Sequence, residues 1–157
     1  MAIVLCVLAS ARSEGYTATL LDRVIEGIKS IKGVDVEFVN IFDYLPISPC
    51  ISCWNCARND DHRCTLDDSM GRMGEGELVN KVLNANGLFI AQPVYFTRPP
   101  ASVQLFFERF YPFMWSGELN GLPFASLSQA ANNGGTRMAD WEMSKWAFTR
   151  SFKYIGG

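Results

Sequence analysis

One histidine, His62, stands in 157 residues. That scarcity removes most of the hydrolytic repertoire. A nucleophilic triad needs an imidazole base held by a third group, and a His-based metallohydrolase needs several imidazoles. Excess positive charge is missing too: fourteen basic against sixteen acidic residues leave −2, which offers no electrostatic footprint for nucleic acid. Long apolar runs are absent. The longest, Ala2 to Ala9, is too short to span a bilayer and has no cationic leader, so a soluble cytoplasmic protein without a membrane partner is expected. There is no internal repeat, no Gly-x-Gly-x-x-Gly fingerprint and no Gly-Lys-Ser/Thr ending of a P-loop, which turns the reading away from dinucleotides and triphosphates. A hydrophobic fraction of 48% predicts a single globular domain over residues 1–157 with one real core. Eleven Phe and four Trp are more apolar surface than so small a domain comfortably buries, and predict a subunit interface.

What the sequence does have is cysteine, concentrated in one place. Cys50, Cys53, Cys56 and Cys64 follow the spacing C-x2-C-x2-C-x7-C inside a loop spanning 46–66. Three thiolates at intervals of three can converge on one centre and a fourth can close it, which suits an iron–sulfur cluster or a structural zinc. A tight triplet with a distant fourth cysteine favours the cluster, since zinc sites usually come as two separated pairs. Disulfides are disfavoured in a polar loop of a chain read as belonging to a reducing compartment. His62 lies inside the loop, as a polar surface residue or as a ligand in the zinc alternative. Cys6 sits among aliphatic residues and reads as a small apolar side chain.

The remaining pattern alternates strand and helix. Ile3 to Leu8 is a continuous apolar run, as expected of a strand buried on both faces of a parallel sheet. A helix follows, with Leu20, Leu21, Val24, Ile25, Ile28 and Ile31 on one face and Gly33 ending it. Val34 to Ile41 alternates as an edge strand does. After the cysteine loop a helix is predicted from Asp67 or Asp68 as N-cap, carrying Met70, Met73, Leu78, Val79, Val82 and Leu83. Gly87 to Ala91 is another buried strand. Ser102 to about Phe113 forms an aromatic helix, Leu122 to Ser128 a fourth strand, and a last helix holds Trp141, Trp146 and Phe148. Together these predict an α/β doubly wound parallel sheet, whose ligand site lies beyond the carboxyl ends of the strands. The loops after Leu8, Ile90 and Leu127 would converge there. The first, from Ser10 to Thr17, supplies hydroxyls, Arg12 and the N–H groups of a helix start, which suits a terminal phosphate.

These residues resemble the flavodoxin-like NAD(P)H-dependent FMN reductases. Their first loop usually reads G-S-P-R-x-x-G-N-T; here Ser10, Arg12, Gly15 and Thr17 match, while Ala9, Ala11 and Tyr16 depart. Pro93-Val94-Tyr95-Phe96 resembles the family's P-V-Y-F segment. Phe106-Phe107-Glu108-Arg109 resembles its F-x-D-R, with glutamate for aspartate and Gln104 where lysine is usual. The cysteine spacing, and Asp67-Asp68-Ser69-Met70 after it, resemble the iron–sulfur flavoprotein branch.

The resemblance implies a sheet of order 2-1-3-4-5, although the chain stops so soon after Phe152 that the fifth strand is expected to be short or missing. It implies FMN, with its phosphate on Ser10, Arg12, Ser13, Tyr16 and Thr17. The ring would lie against Pro93, Val94, Tyr95 and Phe96, and a loop with Asn132, Gly134 and Gly135 would close its other side. Cys50, Cys53, Cys56 and Cys64 would hold a 4Fe-4S cluster. No catalytic side chain is required, because the flavin carries the chemistry. NAD(P)H is the implied co-substrate, ferredoxin an implied one-electron partner, and a dimer or tetramer the implied assembly. Two alternatives stay open: an NAD(P)H-dependent FMN or quinone reductase with idle thiols, and a zinc-stapled module without enzymatic function.

Overall fold

Strand β1 (Ala2–Leu8) sends its side chains alternately into two cores, with Leu5 and Val7 in one and Cys6 and Leu8 in the other. That two-sided burial is why the run shows no polar alternation. The computed structural model describes residues 1–71, 76–131, 134–149 and 151–157. Beside β1 lie β2 (Val34–Asn40) and β3 (Gly87–Pro93), followed by β4 (Pro123–Gln129) and β5 (Lys153–Gly156). All pairs are parallel, in the order β2-β1-β3-β4-β5. The expected sheet order is therefore found, and the fifth strand is present. It is four residues long and meets β4 with a register shift at Phe124/Ala125.

Helix α1 (Tyr16–Lys29) covers one face, packing Ala18 and Leu21 with Val24, Ile25 and Ile28 against Cys6, Leu8 and Ala91. A short α2 (Asn55–Arg58) lies in the cysteine loop. The opposite face is covered by α3 (Glu77–Asn84), α4 (Ala101–Glu108) and α6 (Thr136–Thr149), with α5 (Phe113–Ser116) beside them. Here Phe106, Phe107, Phe110, Phe124 and Phe152 interlock edge to face or tilted, with centroids 4.7–6.4 Å apart. Such pairs contribute about 0.5–1.5 kcal/mol each beyond their buried area. Much of the aromatic excess is thus internal. Among the described residues no helix is long and apolar enough to cross a membrane.

Three boundaries differ from the sequence expectation. Helix α1 stops at Lys29, because the Ser30 N–H closes back on Glu26 and Gly27, the Ile31 N–H closes on Ile28, and the Ser30 hydroxyl donates to the Gly27 carbonyl at 2.7 Å. Ile31 is consequently exposed, and Gly33, at φ +83°, belongs to the turn into β2. No helix starts at Asp67 or Asp68. The Asp68 carboxylate accepts the N–H groups of Ser48 and Met70, both at 3.0 Å, and pairs with Arg109. Gly71 passes so close to the Leu66 carbonyl that a Cβ would stand 2.0 Å from its oxygen, and the helix begins only at Glu77, after Gly76 at φ +60°. Met73, expected on that helix, lies outside the described residues. The aromatic helix ends at Glu108 rather than Phe113. The next N–H groups make i→i−3 bonds, Phe110 to Phe107 and Tyr111 to Glu108, before Pro112, which has no N–H to offer.

Candidate functional site

The loops after β1, β3 and β4 meet in a groove at the carboxyl end of the sheet. One cavity of about 480 Å³ is lined by Ser10, Arg12, Tyr16, Thr17, Pro93 and Gln129, among others. A second, of about 530 Å³, is lined by Phe96, Thr97, Ala130 and Gly134 and shares Val94, Tyr95 and Ala131 with the first. The groove therefore runs from the start of α1 to the loop after β3. Ser13 is exposed and is not among its lining residues. Asn132, expected in the closing loop, lies outside the described residues.

The start of α1 has no side-chain cap and no acidic residue in its first turn. Its N–H groups therefore remain available to an anion. Neither Ser10 nor Thr17 acts as a cap: Ser10 Oγ accepts the Arg12 N–H at 3.2 Å, and the buried Thr17 hydroxyl donates to Gln129 Oε1 at 3.4 Å. Glu14 also lines this cavity and sets a carboxylate near the anion end.

At the other end, Tyr95 and Arg98 exchange two backbone hydrogen bonds of 3.0 Å around Phe96 and Thr97, whose φ angles are +50° and +65°. Two consecutive left-handed residues in a two-residue hairpin normally call for Asn-Gly. A bulky aromatic and a β-branched residue there are strained, by about 1–3 kcal/mol each. The turn carries Phe96 at its tip, fully exposed. Gly135, at φ +94°, packs beneath it, where a Cβ would lie 2.8 Å from Thr97 Cα.

A separate cavity of about 280 Å³ is lined by all four cysteines of the loop, Cys50, Cys53, Cys56 and Cys64, together with Trp54, Glu108 and Arg109. All five cysteines of the chain are free. Ser52, Trp54 and His62 adopt left-handed conformations, which bend the loop around the cavity. Burial, and then the neighbouring thiols of Cys64, Cys50 and Cys53, push the Cys56 thiol above its ordinary pKa. The His62 Nδ1 lies 2.9 Å from the Cys56 carbonyl. A carbonyl only accepts, so Nδ1 carries the proton and the ring braces the loop. Among the described residues no group of three or more His, Cys, Asp or Glu side chains is placed to hold a metal ion.

The loop is fastened to the end of α4. Glu108 Oε1 accepts the Cys50 N–H at 2.5 Å. The Arg109 side chain, 1% exposed, donates from Nη1 to Ser48 O at 2.8 Å and Asp68 Oδ2 at 2.5 Å, and from Nη2 to Cys64 Sγ at 3.1 Å. Burial works to raise the Asp68 carboxyl, but the bonds from Arg109, Ser48 and Met70 outweigh it and hold the group below the usual carboxylate range. Burial likewise opposes the Arg109 charge, and Asp68 and Cys64 outweigh it. Sequence reasoning assigned no site role to Asp68 or Arg109. The available signal was a lone arginine between Phe107 and Phe110, since a cation in an apolar run needs a buried partner.

The chain belongs to the NADPH-dependent FMN reductase family, whose model matches residues 2–156. It is similar to an iron-sulfur flavoprotein of Methanocaldococcus jannaschii, 26% identical over 148 residues that cover 94% of this chain and 72% of the relative. An iron-sulfur flavoprotein of Archaeoglobus fulgidus is 27% identical over 115 residues, 73% of this chain and 48% of that protein. Among solved structures, a flavone reductase superposes with a TM-score of 0.72 at 18% identity, covering 98% of this chain. The present chain spans about half the length of that reductase, 52% of it.

Proposed function

We propose that this member of the FMN reductase family is an FMN-dependent oxidoreductase that also carries an iron–sulfur cluster, and that it passes electrons between a two-electron donor or acceptor and a one-electron partner such as ferredoxin. NAD(P)H is the two-electron donor that family membership suggests. One observation carries the cluster reading: the four loop cysteines line one cavity. In a cubane cluster each cysteine holds a different iron, so four thiols arranged around a cavity suit it. A single zinc would draw all four sulfurs to about 2.3 Å from one point. The relatives named as iron-sulfur flavoproteins support the same reading.

Bound FMN would exchange electrons in pairs or singly and a bound cluster singly, chemistry that the side chains do not supply. The chain's own task is placement. The uncapped start of α1, with Arg12 and the hydroxyls of Ser10, Tyr16 and Thr17, would hold the phosphate, with Ser13 able to join from the loop. Backbone from Pro93 to Phe96 and the glycines Gly134 and Gly135 would bracket the ring.

The cysteine cavity and the groove share no lining residue. Exposed apolar side chains stand at both, with Ile51 and Trp54 at the cysteines and Tyr16, Tyr95 and Phe96 at the groove. A homo-oligomer that sets one copy's cysteine loop against another copy's groove would cover both patches and bring the two centres together. Five free cysteines suit a reducing, cytoplasmic location.

A second reading is a plain FMN or quinone reductase, favoured by a groove that takes no lining residue from the loop 46–66. Anaerobic purification followed by assay of FMN, iron, acid-labile sulfide and zinc separates the two. FMN with about four irons and four sulfides per chain is the expected result. FMN without iron would leave the plain reductase, and zinc without FMN would refute both.

A further inference from the structure

The last turn of α4 grips both ends of the cysteine loop. Glu108 holds the backbone of the first cysteine, Cys50, and Arg109 holds the sulfur of the last, Cys64. The Arg109 guanidinium is not a loose surface cation. It closes a ring of bonds with Ser48 and Asp68: Asp68 accepts the Ser48 N–H at 3.0 Å, while Arg109 Nη1 donates to both the Ser48 carbonyl and the Asp68 carboxylate. That ring fixes Nη2, which is aimed at Cys64 Sγ, 3.1 Å away. A neutral thiol is a weak acceptor, whereas a thiolate is a strong one for a charged donor. A cysteine that ligates metal does so as the thiolate, and this buried N–H would then be a charge-assisted donor to the ligating sulfur.

We propose that Arg109 is a positioning residue for the cysteine site: it fixes the sulfur of the fourth ligand at the cavity wall and raises the reduction potential of the cluster held there. This inference rests on the cluster reading of the preceding subsection. The direction follows from charge. Reduction adds one electron, and part of the added negative charge falls on the ligand sulfurs. A hydrogen-bond donor on one of them stabilises the reduced form more than the oxidised one. Asp68 offsets much of the guanidinium's net charge, so the directed N–H···S bond carries the effect. Lysine keeps the charge but loses the planar fork that reaches Ser48, Asp68 and Cys64 together.

The test compares wild type, Arg109→Lys, and the double variant Arg109→Gln/Asp68→Asn, in which neither partner is left as a stranded charge. Each is reconstituted without oxygen using ferrous iron and sulfide. The readouts are midpoint potential, the paramagnetic spectrum of the dithionite-reduced protein, iron loss to a chelator, FMN binding and thermal unfolding. In both variants the one-electron equilibrium should shift about tenfold against reduction, about 59 mV. Iron should leave about tenfold faster, with FMN binding retained. Potentials and chelation rates within twofold of wild type, with lowered thermal stability alone, would reduce Arg109 to a structural brace and overturn the proposal. If the double variant does not fold, Arg109→Lys decides by the same criteria. A wild type that binds FMN but takes up no iron or sulfide would instead defeat the cluster reading and this inference with it.

Discussion

Replacing Gly135 with alanine should damage the groove proposed for FMN while leaving the sheet intact. Gly135 has φ +94°, and an added Cβ would stand 2.8 Å from Thr97 Cα and 3.0 Å from Val94 Cγ1. The backbone term alone is about 1–2 kcal/mol for an L-residue at positive φ. Forcing a methyl against backbone adds about 1–3 kcal/mol of overpacking. The neighbour has no slack to give, since Phe96 and Thr97 are already left-handed. The strain can be relieved only by moving the two loops apart, which opens the groove. The lower bound, about 2 kcal/mol, corresponds to about thirtyfold weaker FMN binding, read by titrating flavin fluorescence against apoprotein. Gly33→Ala is the control: φ is +83°, but nothing lies within 4 Å of its added Cβ. It should lower thermal stability slightly and leave FMN affinity unchanged. FMN affinity within threefold of wild type for Gly135→Ala would refute the packing argument.

Two further outcomes follow from buried titratable groups. Asp68, whose pKa is held down, contributes stability that is complete above the ordinary carboxylate value of about 3.9 and is lost as pH falls through its lower folded value. Asp68→Asn, which strands Arg109, should be about 3–5 kcal/mol less stable than wild type at pH 7. In urea unfolding that gap should narrow below pH 4, and a gap constant from pH 6 to pH 2 would contradict the ion pair. Burial pushes the Cys6 thiol up to about 11. Its contribution to stability is intact below the ordinary thiol value of about 8.5 and fades as pH climbs towards 11. Iodoacetamide at pH 8 should therefore spare Cys6 while the less buried Cys50 and Cys53 of apoprotein react, as mass spectrometry of digests would show. Equal labelling of Cys6 and Cys50 would argue against a buried, neutral Cys6.

The sequence was most legible where one physical constraint acted locally. Strands β1 and β3 are apolar throughout because both faces are covered, and the four loop cysteines that line one cavity lie within fifteen residues of one another. The strand-end rule brought Ser10, Val94 and Gln129 into one groove without any motif joining them. Legibility failed where a distant partner overrode a local preference. Asp68 reads as a helix cap, yet Arg109, forty-one positions away, draws its carboxylate into a buried pair. Ile31 continues the helical period of α1, but the closure at Ser30 ends the helix first. The strained Phe96–Thr97 turn was invisible for the opposite reason: its residues contradict the turn they form, and only the surrounding structure holds them there.

The groove also bears on how the chain reaches its final state. Thr17 and Gln129, joined across its floor, are 112 positions apart in the chain. Its walls come from the ends of β1, β3 and β4, which meet only when the parallel crossovers are complete. Non-local pairings of this kind close late, because loop entropy must be overcome before any contact forms. A ligand seated there acts by mass action on the finished fold alone, not on partly assembled forms. Ligand binding in the groove is thus a late checkpoint in maturation, whereas the four loop cysteines, all within one short segment, can be gathered early.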